Sequence, residues 1–199
     1  MPEPGPTIGG RSPSSARVEL LDAERAPLLV RHLWADGDPG PIVAALAQVP
    51  ELVEATLAFV GAALGPSAVD RRTKELVILR TSSMLSCQYC VDAHTVVALD
   101  TGLGEDEVCA LRGELDVAAV FGDGRERALL RWVDAVATGR GPISDQVAAE
   151  AGDCFADHEM VELTVLVGAT MLLNRFCTSL ELVTSPDVTA RLAAGGWRR

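Results

Sequence analysis

Two cysteines and a histidine stand inside an apolar run, "ELVILRTSSMLSCQYCVDAHTVVALDTG", Glu75 to Gly102. Cys87 and Cys90 are three residues apart, so on a helix both thiols project from one face, and such a pair can close a small disulfide with little backbone movement. His94 lies four residues beyond Cys90, one turn further along that face. An imidazole there can take a proton from Cys90 or return one to a leaving oxygen. With Ser86 as a helix cap, Cys87 would sit at the helix start, where unpaired N–H groups and the helix dipole stabilise a thiolate. Glu75 precedes Cys87 by twelve residues, roughly 18 Å along a straight helix. It can approach the other three only if the chain reverses near Ser86. In the hairpin that results, His94 comes back roughly 10 Å towards Glu75. The remaining gap is about one water, so a relay Glu75–water–His94–Cys90 is expected, with Glu75 orienting the imidazole. The competing reading of Glu75 is a buried carboxylate paired with Arg71, Arg72 or Arg80.

The elements that must position these groups read as helices throughout. Hydrophobic residues are 48% of the chain and aromatics only 4%. Ala, Leu and Val carry the apolar content, which favours helix over sheet. A helix is expected over about 22–34, and a short one broken at Pro50 is followed by a longer one to about Leu64, stopped by Gly65-Pro66. "AVDRRTKELVILRTSSMLS" becomes apolar on most faces, as a central buried helix does. Further helices are expected from Cys87 to a stop at Gly102, over "GEDEVCALRG", over "DGRERALLRWVDAVATGRG", and over "SDQVAAEAG" with a Ser cap. A last, long apolar helix should end before Pro186. The fold class is all-α.

The chain also echoes itself. "ELVILRTSSMLSCQYC" (Glu75–Cys90) aligns with "ELTVLVGATMLLNRFC" (Glu162–Cys177) at an offset of 87 residues without a gap. A duplicated helical unit is expected, with halves at about 40–113 and 120–185. In the second copy Asn174 stands where Cys87 does and Glu181 where His94 does, so only the first keeps the chemistry.

Bulk properties remove several classes of function. The formal charge is −11 with no basic cluster, which speaks against nucleic acid and against an anionic membrane surface. Residues 1–17 are rich in Pro, Gly and Ser and lack the apolar stretch of an export signal. They are read as a flexible tail before a single domain over 18–199. No apolar run is read as long enough to span a membrane, and a cytoplasmic location is expected. Five cysteines in a reducing compartment are not a structural disulfide framework.

The pattern Glu-x11-Cys-x-x-Cys-x-x-x-His, here Glu75, Cys87, Cys90 and His94, resembles the alkylhydroperoxidase D-like branch of the carboxymuconolactone decarboxylase superfamily. The flanks "DRRTKELVILRTSSMLSC", "TGLGEDEV" and "LLNRF" agree, and the resemblance covers roughly residues 46–183. It implies an all-helical fold assembling as a trimer or hexamer. It implies a peroxidase in which Cys90 attacks a hydroperoxide, Cys87 resolves the sulfenic acid as a disulfide, and Glu75 and His94 relay protons. It further implies a dihydrolipoyl-type thiol or a peroxiredoxin as protein partner, with no cofactor and no metal. One position departs from the pattern. Relatives carry a second histidine directly before the second cysteine, and here it is Tyr89, whose phenol does not accept a proton at neutral pH as imidazole does.

Four other readings of the same residues compete with this one. The thiols could be small core hydrophobes. Cys87, Cys90 and His94, completed by His158 or Cys109, could clamp zinc. The scaffold could act as a lyase on a small lactone acid, or as a non-enzymatic redox-sensing oligomer. Cys109, Cys154 and Cys177 are read as packing residues, Cys177 as a relic of duplication. His32 and His158 are read as solvated or capping groups, and Asn174-Arg175 as mainly structural.

Overall fold

The computed structural model describes residues 16–197, and among these every regular element is helical. After a 3-10 turn at Arg31–Trp34 come α1 (Pro41–Leu46), α2 (Pro50–Leu64), α3 (Arg71–Met84), α4 (Gln88–Asp100) and α5 (Glu105–Arg112). Then follow α6 (Val117–Val120), α7 (Gly124–Thr138), α8 (Asp145–Gly152), α9 (Asp157–Ser179) and α10 (Pro186–Ala194). The tail expected over 1–17 lies outside the described residues except at its end. There Arg17 donates its backbone N–H to the Leu180 carbonyl at 2.8 Å.

Local chemistry sets most boundaries. Proline occupies the first helical position of α1, α2 and α10, where its missing N–H costs nothing. Asp70 caps α3 by accepting from the Thr73 N–H at 3.0 Å, and Ser144 caps α8. Gly113 ends α5 in the left-handed conformation at φ 83°. The helix expected over 22–34 does not form. Asp22 Oδ1 accepts from the N–H groups of Glu24 and Arg25 in a local turn, and Pro27 lacks the donor a helix would need. Only the short 3-10 turn survives there. The last long helix ends at Ser179, not just before Pro186, and residues 186–194 form a helix of their own.

α3 is the hub, packed by α4, α5, α7 and α9. Leu76, Val77, Ile78 and Leu79 are consecutive and all buried, which explains why this helix is apolar on most faces. Their cluster includes Leu111, Phe121, Leu129, Val133, Leu163 and Leu166. By length and composition α9 could cross a membrane, contrary to the reading of no such run. Its Leu163, Leu166, Val167, Thr170, Asn174 and Cys177 are buried within the bundle.

The two echoing segments part at their ends. α3 stops at Met84, and Ser86 takes φ 53° while the Cys87 N–H reaches back to the Ser82 carbonyl at 3.0 Å. This is a Schellman-type end, and it turns the chain into α4. α9 runs straight through the equivalent stretch and makes the same kind of end later. There Glu181 has φ 52° and the Leu182 N–H bonds the Cys177 carbonyl at 2.9 Å. Cys90 therefore starts a new helix, whereas Cys177 still belongs to the long one.

Lys74 braces the start of α3. It is 3% exposed, and its ammonium donates to the carbonyls of Ala63 at 3.0 Å and Gly65 at 2.6 Å, at the end of α2. It also pairs with Glu162 of α9 at 3.0 Å. Replacing Lys74 with Ala strips partners from all three acceptors and should lower the free energy of unfolding in urea by about 3 kcal/mol, the scale for breaking a buried ion pair. Glu162→Gln, which keeps a hydrogen-bonding oxygen, should cost less.

Candidate functional site

The hairpin of α3 and α4 brings the carboxylate to the histidine with no water between them. His94 Nδ1 lies 2.8 Å from Glu75 Oε2. The sequence-based gap estimate treated both helices as straight rods and ignored the reach of the two side chains. Two of the three arginines that might have claimed Glu75 are engaged elsewhere. Arg72 bonds Glu107 and Glu126, and Arg80 makes a two-pronged pair with Asp134 at 2.7 and 2.8 Å. With a carboxylate at Nδ1, the ring proton belongs on that nitrogen and Nε2 is left as an acceptor.

Cys87 is the N-cap residue of α4, so its sulfur lies at the positive end of the helix. Cys90 sits on the first turn, one turn before His94. The unexpected member is Cys177, reaching in from α9. The sulfurs of Cys87, Cys90 and Cys177 all lie within 4.8 Å of one another, none is in a disulfide, and they are 1%, 5% and 1% exposed. The reading of Cys177 as a relic thus fails to account for its position against both other thiols.

Three thiols this close cannot all ionise, and the hydrogen bonds decide which one does. Cys87 accepts S–H donors from Cys177 and then from Cys90, and these hold its pKa well below the ordinary thiol range despite burial. For Cys90, contact with Cys177 pulls downward, but donation to Cys87 and burial prevail and push the thiol up to about 12. Cys177 is pushed up as well, by donating to Cys87, then to Cys90, and by burial. The hydrogen bonds thus favour negative charge on Cys87 over Cys90 and Cys177. Tyr89 is raised to about 12, first by burial and then by the nearby sulfur charge, so its phenol stays neutral.

Asn174, from the same turn of α9 as Cys177, donates its amide to Ser82 Oγ at 3.0 Å and also hydrogen-bonds the Cys90 sulfur. Its Oδ1 is buried without a hydrogen-bond partner. α4 is anchored by Asp92, which is buried and accepts from Gln88 at 2.6 Å and from Thr184 at 2.8 Å. A cover of Ala16, Val18, Ile42, Ala45, Tyr89, Phe176, Leu180 and Leu182 packs around the sulfurs. On the Glu75 side, a cleft of about 440 Å³ is lined by Leu64, Gly65, Pro66, Lys74 and Glu75 among others.

The zinc set inferred from spacing does not assemble. Among the described residues, the metal-ligating side chains brought together are Cys87, Cys90 and Cys177, without His94, His158 or Cys109. Three sulfurs suit a thiophilic ion better than a hard one. Cys109 stands apart on α5, its thiol pushed up by burial and by Glu114, so it is a poor nucleophile. Sequence reasoning singled out Glu75, Cys87, Cys90 and His94; the structure joins Glu75 to His94 and Cys87 to Cys90, and it brings to the sulfurs Cys177 and Ser82, which that reasoning did not place there, and Asn174, which it read as mainly structural. The signal for Cys177 was its alignment with Cys90 across the repeat.

Residues 50–135 match the sequence model of the carboxymuconolactone decarboxylase family. An uncharacterized protein of Mycobacterium tuberculosis (strain H37Rv) is 36% identical over 108 residues, which are 53% of this chain and 37% of that protein. The chain thus spans little more than a third of the length of that relative. Among solved structures, a protein of unknown function from Agrobacterium tumefaciens, proposed to be an antioxidant defence protein AhpD, superposes with a TM-score of 0.63 at 28% identity. The match covers 70% of this chain and 94% of that one. A peroxidase-related protein from Ralstonia eutropha JMP134, with an alkylhydroperoxidase AhpD core, superposes with a TM-score of 0.71 at 19% identity over 89% and 96% of the two chains. The second likeness is one of fold.

The hydrogen-bond pattern among the sulfurs has a spectroscopic consequence. Reduced protein at neutral pH should show ultraviolet thiolate absorption of about one sulfur per chain, on the usual separation of thiol and thiolate states. Cys87→Ala should abolish it. Cys177→Ala, which removes the strongest donor, should shift its titration to higher pH.

Proposed function

We propose that this chain, whose residues 50–135 match the carboxymuconolactone decarboxylase family, is a thiol-dependent peroxidase of the alkylhydroperoxidase D-like type that reduces hydroperoxides through Cys87 and Cys90. The observation that carries this reading is the 2.8 Å contact of His94 with Glu75, one helical turn from a cysteine that is neutral at rest. A neutral thiol needs a base, and an imidazole braced by a carboxylate is one.

Cys90 attacks the terminal oxygen of the hydroperoxide. The S–O bond forms as the O–O bond breaks, His94 Nε2 takes the thiol proton, and that proton passes to the departing alkoxide. The products are a Cys90 sulfenic acid and an alcohol. Cys87, already a thiolate, attacks the Cys90 sulfur and expels hydroxide, which leaves as water on protonation. The net change is one hydroperoxide reduced to alcohol and water and two thiols oxidised to a disulfide. Returning to the thiols requires two electrons from an external dithiol, for which a dihydrolipoyl group or a peroxiredoxin-type protein is the proposed partner. Glu75 does not touch the reacting atoms; it orients the ring. A cytosolic location is part of the proposal, since a reducing compartment returns such thiols to their free state.

A homo-oligomer is proposed as well. Val161, Val165 and Leu172 form an exposed apolar stripe along α9, and Leu52 and Phe59 form another on the adjacent α2. A second copy of the chain is the occupant that suits two such stripes. Val165→Glu should reduce the mass of the assembly seen by light scattering while leaving the helical circular dichroism unchanged.

Peroxide consumption with a small dithiol donor tests the catalytic reading. Cys90→Ser should abolish turnover, and Glu75→Gln should lower it about a hundredfold, the usual scale of general acid–base assistance. Native turnover by Cys90→Ser would remove the basis for the proposal.

A further inference from the structure

We propose that Cys177 is a second resolving thiol, so that the sulfenic acid on Cys90 is captured by either Cys87 or Cys177 and the disulfide passes between pairings without an external thiol. This rests on the peroxidase reading above and extends its site across the repeat, from α4 to α9.

Geometry carries the inference. All three sulfurs lie within 4.8 Å of one another, a separation that side-chain rotation with small adjustments of the helices closes to a disulfide bond. Cys177 is as buried as Cys87 and packs in the same small cluster. It reaches that place because α9 continues straight where α3 breaks into α4. The Cys87–Cys90 bond lies within the first turn of one helix. A Cys90–Cys177 bond would instead join α4 to α9 across 87 residues of chain.

The chemistry balances in both routes. When Cys177 captures the sulfenic acid, its sulfur bonds to Cys90 and expels hydroxide. Its proton passes by way of the Cys87 thiolate it already faces to the hydroxide, which leaves as water, and Cys87 is left as the thiolate. In the exchange route, Cys177 attacks the Cys90 sulfur of a Cys87–Cys90 disulfide. The new bond forms, the old one breaks, and Cys87 departs with the proton that Cys177 gives up. Cys87 is the better leaving group because its thiolate is the stabilised one. Electrons are conserved and no reductant is consumed. Every oxidised state then keeps one free thiol, and the sulfenic acid always meets a partner before a second peroxide can drive it to sulfinic acid.

Trypsin separates the participants. Residues 81–112 carry Cys87, Cys90 and Cys109, and residues 176–191 carry Cys177. In a Cys87→Ser, Cys109→Ala background each peptide holds a single thiol. Two equivalents of hydrogen peroxide, followed by alkylation and non-reducing digestion, should give the 81–112 to 176–191 cross-link, with slowed but persistent turnover. Adding Cys177→Ser should abolish the cross-link and accumulate Cys90 sulfinic acid, with circular dichroism checking that the helices remain. Sulfinic acid on Cys90 without a cross-link in the first background overturns the proposal. A parallel oxidation of the native chain with diamide, which needs no peroxidase chemistry, should give the same cross-link. Its absence there also overturns the proposal, even with normal peroxide turnover. A diamide cross-link in a protein that consumes no peroxide would leave Cys177 as a redox partner and withdraw the peroxidase reading instead.

Discussion

A carboxylate and an imidazole held 2.8 Å apart between two packed helices fix the register of the α3–α4 hairpin, and the rest of the site follows from that register. With Glu75 opposite His94, the start of α4 falls at Cys87 and the first turn presents Cys90. Neither polar group could be left alone at this depth, since an unpaired buried carboxylate costs several kcal/mol. The arginines nearby are diverted to Glu107, Glu126 and Asp134, which leaves the histidine as the carboxylate's partner. The same contact that satisfies a buried charge also sets the tautomer of the base.

The second organising feature is the sharing of one negative charge among three sulfurs. A lone buried thiolate would be costly, but two S–H donors and the end of α4 stabilise it on Cys87. Division of labour follows from that placement. On the proposed chemistry, the thiol that is pushed towards the neutral form stands one helical turn from the base, and the thiol favoured as the thiolate is the one that would resolve a sulfenic acid. Asn174 and Ser82 tie the α9 side of the cluster to the end of α3, so the three sulfurs are held by contacts across the bundle rather than by one loop.

How much of this was legible depended on distance along the chain. Glu75, Cys87, Cys90 and His94 were readable because two periodic helices and one turn connect them, and helical spacing fixes which side chains share a face. The break at Ser86 was visible in its serines. Cys177 was not, because its approach depends on how α9 packs against α3 and α4, and spacing rules say nothing about contacts across 87 residues. The segment 22–34 misled for the opposite reason. Its apolar residues have helical spacing, but Asp22 and Pro27 offer the backbone a cheaper local turn. The salt bridge of Lys74 with Glu162 also crosses the repeat, from the residue before Glu75 to the residue that Glu75 mirrors.

The cover over the sulfurs separates two kinds of visitor by size. Ala16 and Val18 belong to a segment whose contacts include a backbone hydrogen bond from Arg17 to Leu180, a side-chain bond from Arg17 to the Ser179 carbonyl and an exposed Arg17–Glu181 pair, the last worth at most about 1 kcal/mol. On the proposed chemistry a molecule as slight as hydrogen peroxide and a protein-borne reductant place different demands on this cover, because the larger visitor would have to displace Ala16 and Val18 to reach the sulfurs. Oxidation and reduction would then run on separate clocks.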